Sequence, residues 1–174
     1  MLLSGPMQAF VRHWGEMGTR WGVNRSVAQI HALLFLADAA LPADEIAETL
    51  GIARSNVSTS LKELMTYRLV DLVHVQGDRR DHFAARQDPW DMLIAITDER
   101  KRREMDPTIE LLRECAADAG SDAGTPDSAR QRMVAMRDFL EELDRFYDRL
   151  RRVPQSRLRR VLRLGDKIIG LLQR

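Results

Sequence analysis

Apolar residues recur at three- and four-residue steps from Val27 through Ile30, Leu34 and Ala37 to Leu41, with Leu33 and Leu36 widening the stripe. A stripe that wide makes a helix apolar around most of its circumference, and such a helix belongs in a core. Asn24 or Ser26 can cap its start near Arg25, and Pro42 is expected to end it. Upstream, Met7, Phe10, Val11 and Trp14 form a short amphipathic stretch, after which Gly15, Gly18 and Gly22 are expected to loosen the chain. Downstream, Asp44-Glu45 opens a short helix with Ile46, Ala47 and Leu50 facing inward and Gly51 as its stop. Ala53 to Tyr67 reads as a third helix with Val57, Leu61, Leu64 and Met65 on one side. Its other side, Arg54, Ser55, Asn56, Ser58, Thr59, Ser60 and Lys62, is polar, mostly short and poor in helix formers, so it adds little to helix stability. The period then drops to two. Leu69 to Gln76 alternates, Gly77-Asp78-Arg79-Arg80-Asp81 turns the chain, and His82 to Gln87 runs back as a two-stranded hairpin with a charged tip.

Asp88-Pro89-Trp90-Asp91 has the acids and the proline of a helix start. That helix is expected to run through Ile94 and Met105 until Pro107 kinks or restarts it, because a mid-helix proline costs about 3 kcal/mol. Asp118 to Thr125 reads as a loop and Thr125-Pro126 as the opening of a long helix. On it Met133, Met136, Leu140, Leu143, Tyr147 and Leu150 form one seam and Phe139, Phe146 and Val153 a second, which implies two partners. Pro154 breaks it, and Leu158, Val161, Leu162, Ile168, Ile169 and Leu172 line a last helix. This is more apolar surface than one small domain buries alone, so a homodimer is expected.

Three helices and a hairpin within Arg25 to Gln87 stand in the order of a winged helix-turn-helix. Such a unit needs a short first helix, a tight glycine turn, and a second helix whose apolar face docks while its polar face enters the major groove of DNA. Ala47, Gly51 and Val57 meet the steric demand. Arg54, Ser55, Asn56, Ser58, Thr59 and Lys62 meet the chemical one, being groups that reach base edges and phosphates. Arg79 and Arg80 are expected to enter the neighbouring minor groove, whose negative potential attracts guanidinium groups. The expected fold is mainly α with a small β-hairpin wing: an N-terminal helix and hinge over 1–24, a winged helix-turn-helix over 25–88, and a helical linker and dimerisation region over 89–174.

Glu45 to Val70 resembles the MarR superfamily of bacterial transcriptional regulators, and Gly77-Asp78-Arg79-Arg80-Asp81-His82-Phe83 leading into Asp88-Pro89-Trp90 is similar to its GbsR branch. The resemblance implies a homodimer on a pseudo-palindromic operator of double-stranded DNA, released or retained by a small ligand. It also implies that Asp78 helps to hold the wing. Regulators of the GbsR type are linked to choline and betaine, and aromatic faces attract quaternary ammonium groups. Trp14, Trp21 and Trp90, the three tryptophans, are therefore the candidate effector site, with packing as their alternative role.

Composition narrows the rest. With 27 Lys+Arg against 26 Asp+Glu, no polycation is present, so any nucleic-acid surface comes from where the basic residues lie. Cys115 is the sole cysteine, which excludes an intrachain disulfide and any site with two thiolates. The stretch Ile30 to Ala43 is too short and too interrupted to span a bilayer, so a soluble, cytoplasmic protein without a membrane partner is expected. Asp98 and Glu99 are neighbours on a helix and do not face each other, and Arg100 to Arg103 follow at once, so they read as a solvated face rather than a catalytic pair. No catalysis, metal or cofactor is expected. His31 reads as a hydrogen-bonded core histidine. The C-terminal run from Arg149 to Arg174 holds nine basic residues against Asp166 alone and reads first as dimer support, with contact to flanking phosphates or an anionic membrane surface as its alternatives. The alternative function is a winged-helix protein-interaction module that has given up DNA, and steep salt dependence separates the two.

Overall fold

The structure, a computed structural model, describes residues 1–160 and Leu164. Of the expected last helix, Leu158 lies in a helical stretch over 155–160, while Val161, Leu162, Ile168, Ile169 and Leu172 lie outside the described residues. The fold is mainly helical with a small antiparallel sheet, and it divides into two units, Met1–Ile96 and Thr97–Arg174.

The first unit starts with α1 (Gly5–Arg20), which is unbroken by its glycines. Gly15 and Gly18 do not loosen the chain as expected from sequence. They let α1 lie against α2 (Arg25–Leu36): a Cβ on Gly18 would stand 2.5 Å from Cβ of Ala28, and one on Gly15 would stand 2.6 Å from Cγ of Gln29. The turn is made at Gly22, with φ +77°. Asn24 caps α2 by accepting from the Ser26 N–H at 2.8 Å.

Helix α2 ends at Leu36, six residues before Pro42, because its continuation is taken into a strand. β1 (Leu41–Pro42) pairs with β3 (His82–Ala85), Leu41 opposite Phe83 and Pro42 opposite His82, and β3 pairs in turn with β2 (Val70–Val73). The sheet thus has three strands in the order β1-β3-β2, where a two-stranded hairpin was expected. Pro42 is tolerated because β1 is an edge strand. Gln87 donates from Nε2 to the Ala37 carbonyl at 3.2 Å, partnering a carbonyl at the end of α2.

Helices α3 (Ala43–Leu50) and α4 (Arg54–Thr66) pack beneath α2. Ile30, Leu33 and Leu34 meet Ile46, Val57, Leu61, Leu64, Val70 and Phe83 in one buried cluster. At about 25 cal/mol per Å² of apolar surface, each such side chain contributes roughly 1.5–3 kcal/mol. Helix α5 (Pro89–Arg100) begins as expected, with Asp88 accepting from the Trp90 N–H at 2.7 Å, and Met92, Ala95 and Ile96 pack on the cluster.

In the second unit the helix restarts at Pro107, as expected from sequence. One π-helical turn (Lys101–Met105) precedes α6 (Asp106–Ser121), and the proline sits at the second position of α6, where its missing N–H costs little. Helix α6 runs to Ser121, so the expected loop shrinks to 122–126. There Asp122 accepts from the Gly124 N–H and the Thr125 hydroxyl. Helix α7 (Asp127–Leu150) packs on α6, where Ile109, Ala116 and Ala119 are buried. Lys101 pairs with Asp106 at 2.7 Å and Asp144 at 2.8 Å, Arg113 pairs with Glu141 at 2.7 Å, and the Tyr147 hydroxyl donates to Asp98 at 2.8 Å. Burial and that donation to Asp98 push the Tyr147 phenol up to about 12.

Candidate nucleic-acid interface

The turn between α3 and α4 fixes the candidate reading helix. Gly51 adopts φ 63° and ψ 35°, the left-handed conformation that ends a helix at little cost in glycine, and Ile52 N–H donates to the Ala47 carbonyl at 3.1 Å. Val57, Leu61 and Leu64 on the inner side of α4 are fully buried, which leaves the helix one orientation. Arg54, Ser55, Asn56, Ser58, Thr59 and Lys62 are thereby brought together on its exposed side. Ser60, grouped with them by sequence, is instead buried and donates to the Asn56 carboxamide oxygen at 3.4 Å.

Two residues of that face are already engaged. Asn56 donates from Nδ2 to the Ser26 hydroxyl at 2.9 Å, joining α4 to the first turn of α2 across 30 residues of sequence. The Thr59 hydroxyl donates to the Ser55 carbonyl at 3.1 Å. Arg54 and Lys62 make no ion pair among the described residues.

At the wing the two arginines part company. Gly77 turns the chain with φ +86°, and Arg79 is exposed without an ion pair among the described residues. Arg80 folds back. Its Nε and Nη2 donate to Asp78, the latter at 2.6 Å, its backbone N–H donates to the same carboxylate at 2.9 Å, and Nη1 reaches Asp44 at 3.1 Å. Asp44 lies in the first turn of α3 and also accepts from the Glu45 N–H, so Arg80 ties the wing to the helix-turn-helix. Arg80 is thus held by two carboxylates while its side chain stays half-exposed. His82, buried in β3, donates from Nδ1 to the Arg80 carbonyl at 2.9 Å and places Nε2 at 3.5 Å from Asp78. The Arg80 guanidinium draws the Asp78 carboxyl down to about 2 and lowers that of Asp44 as well, so the network stays charged across the working pH range. Ser26, Asp44 and His82 read from sequence as a cap candidate, a helix start and part of the hairpin, and are not assigned to the interface. Nothing local marks that role, because their partners lie elsewhere in the chain or in its folded geometry.

The tryptophans occupy different settings. The Trp14 ring stacks on Phe10 with centroids 5.4 Å apart and lies 6.5 Å from the ring of His31, in a cluster that Phe35 completes. Trp21 caps the end of α1 with half its surface exposed, and Trp90 stands in the first turn of α5. His31 is a core residue as expected, but its Nε2 has no hydrogen-bond partner among the described residues, and burial pushes the imidazole down to about 4. Among the described residues no group of His, Cys, Asp and Glu is arranged to hold a metal, and no helix is long and apolar enough to cross a membrane.

A glycine-turned helix pair followed by a hairpin with a basic tip, all on one core, defines a winged-helix domain. Residues 21–81 match the model of the MarR family. A crystal structure of a transcriptional regulator is 22% identical over 83% of this chain and 95% of its own, with a TM-score of 0.65, a likeness of fold. The transcriptional regulator Tm0710 of Thermotoga maritima is 14% identical, with 86% of this chain and 94% of that one covered and a TM-score of 0.39. FabT of Streptococcus pneumoniae, solved in complex with DNA, is 17% identical over 82% and 90%, with a TM-score of 0.34. No curated protein matches the chain.

Proposed function

We propose that this protein is a sequence-specific transcriptional regulator that binds double-stranded DNA as a homodimer and acts as a repressor. The observation that carries the reading is the exposed face of α4: short hydroxyls, an amide, Arg54 and Lys62 on a helix fixed by Val57, Leu61 and Leu64. Arg79 supplies the wing contact and the paired Arg80 holds the wing, in the supporting role expected of Asp78. The dimer reading rests on α7. Met136, Phe139, Leu143, Phe146 and Leu150, spaced by alternating three and four residues, are all exposed, Phe139 to 55% and Phe146 to 62%.

Enrichment of bound duplexes from a randomised pool tests the reading. Two inverted half-sites about 34 Å apart are expected. Recovery of no shared sequence, with binding that is insensitive to salt, would transfer the reading face to a protein partner. Ligand release and the GbsR-like assignment are supported by the sequence resemblance alone. Calorimetric titration with choline and glycine betaine, on the parent and on Trp14→Ala, Trp21→Ala and Trp90→Ala, tests them, and an absence of heat from the parent removes both.

A further inference from the structure

The charge of this chain is distributed oddly for a DNA-binding protein. Met1–Ile96, which holds the reading helix and the wing, contains 9 basic and 11 acidic residues. Two of those cations are spent on internal carboxylates, Arg80 on Asp78 and Asp44, and Arg86 on Asp71. From Arg149 to the end of the sequence nine basic residues face one acid, whereas the first 148 residues carry 18 basic and 25 acidic side chains. All of the positive excess of the molecule therefore resides in its last 26 residues. Arg152, Arg157 and Arg160 in this segment are exposed, and no ion pair among the described residues engages them.

Acidic residues in the same unit are poor candidates for their partner. Eight of the 14 acids between residues 97 and 148 already pair with cations of that stretch, as Glu99 does with Arg102, Glu104 with Arg100, and Asp106 and Asp144 with Lys101, and Asp98 takes Arg151. A second copy of the chain offers the same occupied acids over residues 97–148. Resting on the reading above, we propose that the C-terminal basic segment is a second DNA-binding element, which grips the phosphate backbone of the duplex flanking the operator. It supplies the sequence-independent affinity that the acidic winged-helix unit lacks, while α4 supplies selectivity.

The test compares the parent with R152Q/R157Q/R160Q and with R152K/R157K/R160K by fluorescence anisotropy on mixed-sequence duplexes, circular dichroism confirming that all three are folded. One duplex has about 20 base pairs, and a second adds about 20 on each side to supply flanking phosphates. On the long duplex the glutamine variant is expected to lose affinity and to flatten the dependence of log K on log salt by about 0.9 for each phosphate no longer neutralised, up to about 2.7 per protomer. On the short duplex its loss is smaller, and the lysine variant behaves as the parent because a point charge suffices for phosphate. Equal slopes for parent and glutamine variant overturn the proposal and leave the regulator reading intact. Unchanged DNA binding with weakened binding to phosphatidylglycerol vesicles also overturns it, in favour of a membrane surface. If the parent binds neither duplex, the regulator reading itself fails and the proposal falls with it.

Discussion

His31 makes the stability of the first unit depend on pH in a calculable way. It is 3% exposed among Phe10, Trp14 and Phe35, and burial without a charged partner holds its folded-state pKa at about 4 against 6.5 in the unfolded chain. Below pH 6.5 the unfolded chain takes up a proton that the folded chain refuses. The stability that His31 contributes is therefore complete above pH 6.5 and is lost as the pH falls toward 4, below which both states are protonated. Near pH 5 the loss is about 2 kcal/mol, at 1.36 kcal/mol per pH unit over the interval of about 1.5 units below 6.5. Urea unfolding of the parent and of His31→Leu at pH 7.5 and pH 5.0 isolates this share, since the other titrating groups are common to both chains. Leucine also removes the unpartnered Nε2, so at pH 7.5 the two proteins should differ by no more than about 1.5 kcal/mol. At pH 5.0 the variant should be more stable relative to the parent by about 2 kcal/mol than it is at pH 7.5. Parallel pH profiles, within about 0.5 kcal/mol, would refute the assignment of His31 as a neutral buried imidazole.

Other substitutions test the backbone, the wing and α7. Gly18→Ala, which in an open helix would stabilise by about 1 kcal/mol, should destabilise by about 1–3 kcal/mol in thermal unfolding because its methyl would strike Ala28. Arg68 closes α4 at φ 56°, a position that favours glycine, so Arg68→Gly should raise stability by up to about 1 kcal/mol, and no gain would mean that the arginine side chain offsets the strain. Asp78→Asn should speed amide exchange at Arg80, whose N–H donates to that carboxylate, while leaving the α4 amides protected; equal exchange at both sites would mean that the wing is held otherwise. Phe139→Glu with Phe146→Glu should convert a sedimenting dimer into monomer, and an unchanged mass would place the interface elsewhere.

Where an element is specified by its own residues, the sequence reading placed it closely. Gly51, the apolar spacing of Val57, Leu61 and Leu64, and the Asp88-Pro89 helix start each act within a few residues, and the helix-turn-helix and α5 stand where those signals put them. The errors fall where a distant segment outweighs local pattern. Leu41 continues the spacing of α2 on paper but pairs with Phe83, so the helix stops at Leu36 and an edge strand replaces its last turn. Gly15 and Gly18 look like breakers in isolation, yet beside Ala28 and Gln29 they are the residues small enough for two helices to touch. On α7 the two seams were sorted differently by packing: Met133, Leu140 and Tyr147 are half-buried, whereas Met136, Phe139, Leu143, Phe146 and Leu150 share the exposed side.

The same distinction governs the candidate interface. Side-chain type and spacing placed the polar residues of α4 other than Ser60 on its exposed side because a helix converts spacing into direction. Sequence could not divide the labour within that face or between the wing arginines, since the division depends on which acceptors the fold brings near. Asp44 is 36 residues from Arg80, and Ser26 is 30 from Asn56. The consequence for mutagenesis is that Asn56→Ala combines two effects, removing both a group proposed to read a base and the tie to α2, whereas Thr59→Ala leaves that tie in place. Thr59→Ala should therefore cost about 1–3 kcal/mol on the preferred operator and little on random DNA, with no change in unfolding. Asn56→Ala should lower stability by about 1 kcal/mol in addition. If Thr59→Ala leaves the operator-to-random ratio of dissociation constants unchanged, the threonine lies outside the reading surface, and its bond to the Ser55 carbonyl is its whole role.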